Sequence, residues 1–502
     1  MIKDFNSYLS EVKEVGFVNR VVSSLVYVEG LPGAHPQEVV IFESGSIGEI
    51  TALTRDSVEV LSFSQTSIRA GERVVRTNET LRAGVGEDLL GVSIDPLGHS
   101  IDPTKPVPPM KESRPIDVVP EGIRSRARIT RVCDTGVTLV DRMIPLGKGQ
   151  RQLIVGDQKT GKSRFLLRAL LSQVEQGSIG IYALIGKGKL AIRQTEKTIE
   201  NMGIRKETVI VASSSDEATS MIYITPYVAM TIAEYFRDLG KDVFLVLDDM
   251  TVHAKIYREL SLIGKKFPGR DAYPGDIFYA HARLLERSGN FSTPRGESAI
   301  TCLPVVEAAQ GDLTGYISTN LMSMTDGHIL FDHLLFAEGR RPAINPFLSV
   351  TRVGRQTQSQ LDREIAKNLI GFLKEAERLH QFTSFSAELG GHIKKILSKE
   401  SRIMEYLDQT AYDAIPASVQ KYLFGLVWSD IWDDKPREFV RLEIQKVIYA
   451  YTADPVLKKR MDEVSSRSVS VEALMMQAKN FYFSLSQPAP KPSRIKAVTY
   501  DA

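Results

Sequence analysis

The sequence predicts a multidomain α/β protein. An N-terminal β-barrel or sandwich comes first, a central domain on a mainly parallel sheet follows, and a C-terminal helical bundle ends it. Three observations carry that class. Short β-branched runs between turn residues fill about residues 14–79, for example Val39-Val-Ile-Phe and Val58-Glu-Val-Leu-Ser-Phe. From about 80 to 358, apolar strand-like runs alternate with amphipathic stretches, the signature of βαβ units. From about 359 to 485 only four glycines and three prolines occur, and Leu361, Ile365, Leu369 and Leu373 recur at helical spacing. The expected domains are therefore 1–79, 80–358 and 359–502, the last ending in a Pro-rich tail, Ser486-Gln-Pro-Ala-Pro-Lys-Pro, expected to be unordered.

Bulk properties set limits on function. At ~150 residues per domain, 502 residues suggest roughly three domains, enough for cores without staples. Lys plus Arg is 63 and Asp plus Glu is 61, a net charge of +2, which weighs against a nucleic-acid binder. Cys133 and Cys302 are too far apart for a zinc spacing and too few for a disulfide framework, and the histidines form no ligand motif. Residues 1–16 lack the apolar core of a signal peptide and carry acids unlike a transit peptide. The longest apolar stretch, Met221 to Phe236, is broken by Pro226 and Glu234, so no membrane span is expected.

The central domain carries the chemistry. Gly156-Asp157-Gln158-Lys159-Thr160-Gly161-Lys162-Ser163 fits G-x-x-x-x-G-K-[ST], a pattern met by chance roughly 0.02 times in such a chain. The strand-like Gln152-Leu-Ile-Val precedes it and the helical Arg164-Phe-Leu-Leu-Arg-Ala-Leu-Leu follows. Glycines let the backbone curl its N–H groups around phosphate, and the helix N-terminus adds positive partial charge. Lys162 is expected to reach the β- and γ-phosphates of ATP or ADP, and Ser163 to place its hydroxyl on Mg²⁺. Val243-Phe-Leu-Val-Leu runs into Asp248 and Asp249, an apolar strand ending in the carboxylates expected to organise Mg²⁺, Asp248 through water. Gly84-Val-Gly-Glu-Asp-Leu-Leu-Gly91 has the wrong spacing for a dinucleotide loop and reads as a turn.

These segments resemble the α-subunit family of F-type ATP synthases over nearly the whole chain. The resemblance rests on Val140-Asp-Arg-Met-Ile-Pro-Leu-Gly-Lys-Gly-Gln-Arg151 before the loop, Phe267-Pro-Gly-Arg-Asp-Ala-Tyr-Pro-Gly-Asp-Ile-Phe-Tyr279, Leu284-Leu-Glu-Arg287, Ser323-Met-Thr-Asp-Gly327, Arg341-Pro-Ala-Ile-Asn345 and Ser349-Val-Thr-Arg352-Val-Gly354. It implies a barrel, a RecA-like P-loop domain and a helical bundle. It also implies an alternating α3β3 ring with catalytic β-type subunits, a central γ-type stalk and a δ-type peripheral stalk. Membrane contact would come only through partners, on the cytoplasmic face of a bacterial-like cell. By the same resemblance Arg352 is the arginine finger for the neighbouring β site. Glu307 belongs to the nucleotide site, and Phe336, Arg341, Pro342 and Gln409 lie at the adenine end.

The chain departs from the family at informative places. Where β-type subunits carry the Glu that positions the attacking water, Tyr182-Ala-Leu-Ile-Gly186-Lys187-Gly188 has Lys187. An ammonium has no acceptor lone pair and cannot act as that base. The expectation is a regulatory, non-catalytic subunit that binds nucleotide, with Lys187 favouring phosphate retention. Ala411 stands where the family has a second Gln, and Ser318 replaces a family Pro. The stretch before Val15 is shorter than the family's stalk-contacting extension. That keeps open an α-like subunit of a hexameric motor not coupled to ion transport. A self-sufficient export or RNA-translocating ATPase is the third reading, opposed by Lys187 and by the net charge.

Overall fold

A computed structural model describes residues 3–64, 68–102, 104–308, 311–383, 391–409, 414–433 and 435–484. Ala411 and the Pro-rich tail lie outside the described residues. The chain divides into two compact units, residues 1–358 with 409–414, and residues 359–408 with 415–502.

The first unit begins with α1 (Phe5–Val12), capped by the Asp4 carboxylate, which accepts the Ser7 N–H. Six strands then close a barrel: β1 (Val15–Val22), β2 (Leu25–Glu29), β3 (Glu38–Phe42), β4 (Ile47–Leu53), β5 (Val58–Ser62) and β6 (Arg73–Thr80), in the order β1-β2-β5-β4-β3-β6. Closure comes from antiparallel pairing of β1 with β6, Val15 opposite Val75. Val18, Val26, Val28, Val40, Phe42, Ile50, Val60 and Val74 fill the interior. A barrel leaves no unpaired sheet edge, which settles the choice between barrel and sandwich.

Two short antiparallel pairs link the barrel to the next layer. They are β7 (Arg82–Val85) with β9 (Glu112–Pro115), and β10 (Val132–Cys133) with β11 (Leu146–Gly147). The Gly84–Gly91 segment takes in the last two residues of β7 and a single 3₁₀ turn at Glu87–Leu89.

The main sheet has nine strands. It contains β8 (Ser93–Ile94), β12 (Leu153–Gly156), β13 (Ile179–Lys187), β14 (Thr208–Ser214), β15 (Val243–Asp248), β17 (Gly296–Glu307), β18 (Gly327–Phe331) and β19 (Val350–Thr351), ordered β19-β18-β12-β17-β15-β13-β14-β8, with β16 (Gly289–Thr293) beside β17. Only the β16–β17 and β18–β19 pairs are antiparallel. All six residues of β15 are buried, which is why its sequence is a continuous apolar run rather than an alternation.

Helices α2 (Thr138–Met143), α3 (Lys162–Glu175), α4 (Lys189–Asn201), α5 (Thr219–Asp238), α6 (Met250–Ile263), α7 (Ile277–Leu285), α8 (Tyr316–Met324) and α9 (His333–Ala337) complete the unit. The apolar Met221–Phe236 run lies in α5, with Ile224, Val228, Met230, Ile232 and Phe236 buried in the sheet's core cluster. Among the described residues no helix is long and apolar enough to cross a membrane.

Two buried polar devices lie in this unit. His253 and His281 are fully buried, with Nδ1 of one 3.2 Å from Nε2 of the other. Burial pushes His281 down to about 4 and His253 well below the ordinary histidine range, so both are neutral near pH 7. Arg287, 1% exposed, donates to Glu234 at 2.6 Å, to the Ile116 carbonyl at 2.6 Å and to Thr231 Oγ1 at 2.8 Å. Arg287→Ala would strand a buried carboxylate and a carbonyl without donors. It is expected to cost ~3–5 kcal/mol, read by urea unfolding of the full chain. Cys133 and Cys302 are buried free thiols, pushed up by desolvation and so unreactive.

The second unit is helical: α10 (Gln360–Thr383), α11 (Gly391–Leu407), α12 (Ala417–Trp428), α13 (Arg437–Ala453), α14 (Pro455–Arg467) and α15 (Val471–Ser484). Leu361, Ile365, Leu369 and Leu373 form the buried stripe of α10. Ser359 starts that helix, its hydroxyl accepting the Asp362 N–H at 3.2 Å. In the same unit Glu405, buried on α11, is neutralised by Arg437 and by Arg441 at 2.7 Å from α13.

Candidate functional site

Five strands of the main sheet end along one edge. β12 stops at Gly156, β13 at Lys187, β15 at Asp248, β17 at Glu307 and β18 at Phe331. Register sets Leu184 beside Asp248, and Gly156 beside both Glu307 and Phe331. The carboxyl edge of a parallel sheet is where such folds open a ligand crevice.

The loop leaving β12 matches its expected form. A Cβ at Gly156, whose φ is +155°, would overlap the Phe331 carbonyl oxygen, so the junction takes only glycine. Gly161 has φ +97° and starts α3, so the free N–H groups of the first turn face the loop. Thr160 donates to the Asp157 carbonyl at 2.7 Å and braces the curl. Lys162 folds over its own loop, 2.7 Å from the Gly156 carbonyl and 2.6 Å from that of Asp157. Burial holds its ammonium below the usual lysine value, against the pull of Glu307, Asp248 and Asp249.

A cavity of about 690 Å³ opens over this loop, within the size range of small-ligand sites. Gln158 through Ser163 line one side, and Asp248, Asp249 and Glu307 another. Gln158 donates to Glu307 at 2.9 Å, and the Glu307 N–H is held by Thr251 Oγ1 at 2.8 Å. Phe336, Arg341, Pro342 and Gln409 also border the cavity. The Arg341 guanidinium lies 3.7 Å over the Phe336 ring and donates to the Phe336 carbonyl at 2.9 Å, making one flat wall. Gly156 and Asp157 stand behind the loop surface rather than in the lining.

Gln409 borders the cavity with its side chain anchored on the backbone. Its carboxamide donates to the Gly136 carbonyl at 2.7 Å and accepts the Thr138 N–H at 3.1 Å. The side chain thereby pins the start of α2.

The aspartate pair already carries a counter-charge. Asp248 Oδ1 is 2.7 Å from Lys187 Nζ, and its Oδ2 accepts the buried Tyr182 hydroxyl at 3.1 Å. Asp249 Oδ2 is 3.3 Å from the same Nζ, and its Oδ1 caps α6 by accepting the Val252 N–H at 2.8 Å. All four carboxylate oxygens already have donors. Each oxygen keeps a further lone pair, but the pair's negative charge is already met by an ammonium that an incoming Mg²⁺ would have to displace or face at close range, so this donor set fits the expected ion poorly. Burial pulls the Lys187 ammonium down, but Asp248 and Asp249 outweigh it and hold the group charged, above the ordinary lysine range. A lysine with no contact is thus excluded; Lys187 is three-quarters buried and doubly paired.

Arg352 stands apart from the cavity. It follows β19, is exposed, and its N–H donates to the Asp326 carbonyl at 2.9 Å. Its guanidinium reaches only the Thr325 carbonyl, at 3.4 Å, among the contacts resolved for it.

Several contributors escaped sequence reasoning. His333, at the start of α9, sits 3.1 Å from the Asp157 carboxylate. Arg168 on α3 borders the cavity and donates to the Gln409 carbonyl at 3.1 Å. No spacing rule links these residues to the loop. Tyr182 had a faint signal, since a tyrosine within a buried strand needs a partner for its hydroxyl.

Comparison with known proteins adds a family. Residues 136–351 match the family model described as ATP synthase alpha/beta family, nucleotide-binding domain. The ATP synthase subunit alpha of Aquifex aeolicus (strain VF5) is 36% identical over 480 residues, 95% of each chain. That of Rickettsia bellii (strain OSU 85-389) is 36% identical over 427 residues, 83% of each chain.

Proposed function

The chain belongs to the ATP synthase alpha/beta family, with the F-type α subunits, and on that premise we propose that it holds ATP or ADP without hydrolysing it. Its part in turnover is to lend Arg352 to the catalytic site of an adjacent β-type subunit. The observation that carries the reading is Lys187. At the end of β13, where a catalytic subunit needs a carboxylate to orient water, stands an ammonium tied to Asp248 and Asp249. It has no lone pair to offer water and no freedom to leave the pair cheaply.

The rest of the chain's chemistry is retention. The loop N–H groups and Lys162 take the phosphates, Ser163 at the first turn adds a hydroxyl, and the Phe336–Arg341 wall faces the base. The proposed division is a barrel to 79, a nucleotide domain to 358 and a helical domain beyond. The proposed setting is an alternating ring with β-type subunits around a γ-type stalk, reaching a membrane only through partners. Ion-coupled synthesis or hydrolysis belongs to that assembly.

The test compares the full chain alone with the assembly. Alone, it is expected to bind ATP and show no turnover above background, while the assembly hydrolyses ATP. Steady turnover by the isolated chain would overturn the reading in favour of a self-sufficient ATPase.

A further inference from the structure

We propose that Lys187 takes the place of the divalent cation at this nucleotide site, so that the chain binds metal-free ATP or ADP nearly as well as the magnesium complex. The inference rests on the nucleotide reading above and deepens it. It starts from the aspartate pair, whose charge is already met by one ammonium: Lys187 on both carboxylates, with Tyr182 on Asp248 and the Val252 N–H on Asp249.

The charges decide the matter. Two carboxylates at the end of β15 would repel an incoming triphosphate. In P-loop proteins a divalent ion bridges that gap, its waters donating to the carboxylates and its free positions taking phosphate oxygens. Here one ammonium already spans both carboxylates. A quarter of its side chain remains exposed, and it lines the same cavity as Lys162 and Ser163. An ammonium has three donors in rotatable positions. Two serve Asp248 and Asp249, and the third is available to a phosphate oxygen. A divalent ion entering here would meet at close range a like charge that already compensates both carboxylates. The same geometry that removes the water-positioning base therefore supplies a fixed counter-charge for the nucleotide.

The experiment is a calorimetric titration of the full chain with ATP, in excess Mg²⁺ and in excess EDTA. The wild type is expected to change affinity by less than ~3-fold between the two conditions. Lys187→Gln, which removes the ammonium and keeps a polar side chain, is expected to lose at least ~10-fold in EDTA and to recover with Mg²⁺. With Mn²⁺ as a paramagnetic probe, nucleotide bound to the wild type should hold the ion within ~3-fold as tightly as free ATP does, and nucleotide bound to the variant at least ~10-fold more tightly. A wild-type affinity that falls ~10-fold or more in EDTA overturns the proposal without recourse to any variant. Absence of ATP binding by the wild type in both conditions overturns the nucleotide reading and this inference with it. Metal-dependent binding overturns only the inference.

Discussion

Arg352→Lys is expected to lower ATP turnover of the assembled complex by ~10³-fold or more, while this chain's own affinity for ATP is unchanged. The expectation follows from where the residue stands. Arg352 is absent from the lining of its own cavity and is exposed just past β19. Its backbone is nevertheless fixed. The N–H is bonded to the Asp326 carbonyl, and the Asp326 carboxylate is paired with Arg151 at 2.8 Å. A rigid backbone carrying an exposed guanidinium is what a residue reaching into a neighbour's site requires. Lysine keeps the charge but loses the planar fork that spreads over several phosphoryl oxygens, so transition-state stabilisation falls more than ground-state binding. Assembly checked by size-exclusion separates this from a structural role. Unaltered turnover in an intact assembly would refute the assignment, and a failure to assemble would point to an interface ion pair instead.

The readable parts of the site were those whose chemistry is contiguous in the chain. The phosphate loop is one run of eight residues between a strand and a helix, and each of its two glycines has a local steric reason. The central strand declared itself through an unbroken apolar run. Closure of the barrel did not, because it depends on Val15 meeting Val75 across the domain, and no local pattern encodes that. Lys187 shows the boundary most clearly. Its identity already excluded a general base, yet the partner of its charge depended on the register of β13 against β15. Asp249 was legible in another sense. An Asp immediately before a helical run is an N-cap, and it does cap α6, a reading that competes with metal binding. Gln409 was placed by resemblance at the adenine end; it borders the cavity beside Phe336 and Arg341, and the backbone bonds at Gly136 and Thr138 that hold its carboxamide there are contacts no local pattern encodes.

Lys162→Ala is expected to weaken ATP and ADP binding by the full chain ~100-fold or more, with little change in the stability of the nucleotide-free protein. The two halves of that expectation have separate causes. The ammonium now rests on the carbonyls of Gly156 and Asp157, half-buried at the start of α3. Those carbonyl contacts from a charged donor are worth about 1.5–3 kcal/mol each in net terms, and burial of the charge offsets much of that. Its removal should therefore leave the unfolding free energy within about 2 kcal/mol of the wild type. A bound polyphosphate is different, because it presents full negative charge to an ammonium already held over the loop, where little side-chain entropy remains to be lost. Calorimetry with ATP and with ADP measures the first half, and urea unfolding without nucleotide the second. Binding reduced by less than ~3-fold would remove Lys162 from the phosphate site. The contrast with Lys187 gives the measurement its force. Lys187 is bound to Asp248 and Asp249 and compensates charge within the protein, whereas Lys162 rests on the neutral carbonyls of Gly156 and Asp157. Losing Lys162 should weaken nucleotide binding whether or not Mg²⁺ is present, and losing Lys187 should do so chiefly when Mg²⁺ is absent.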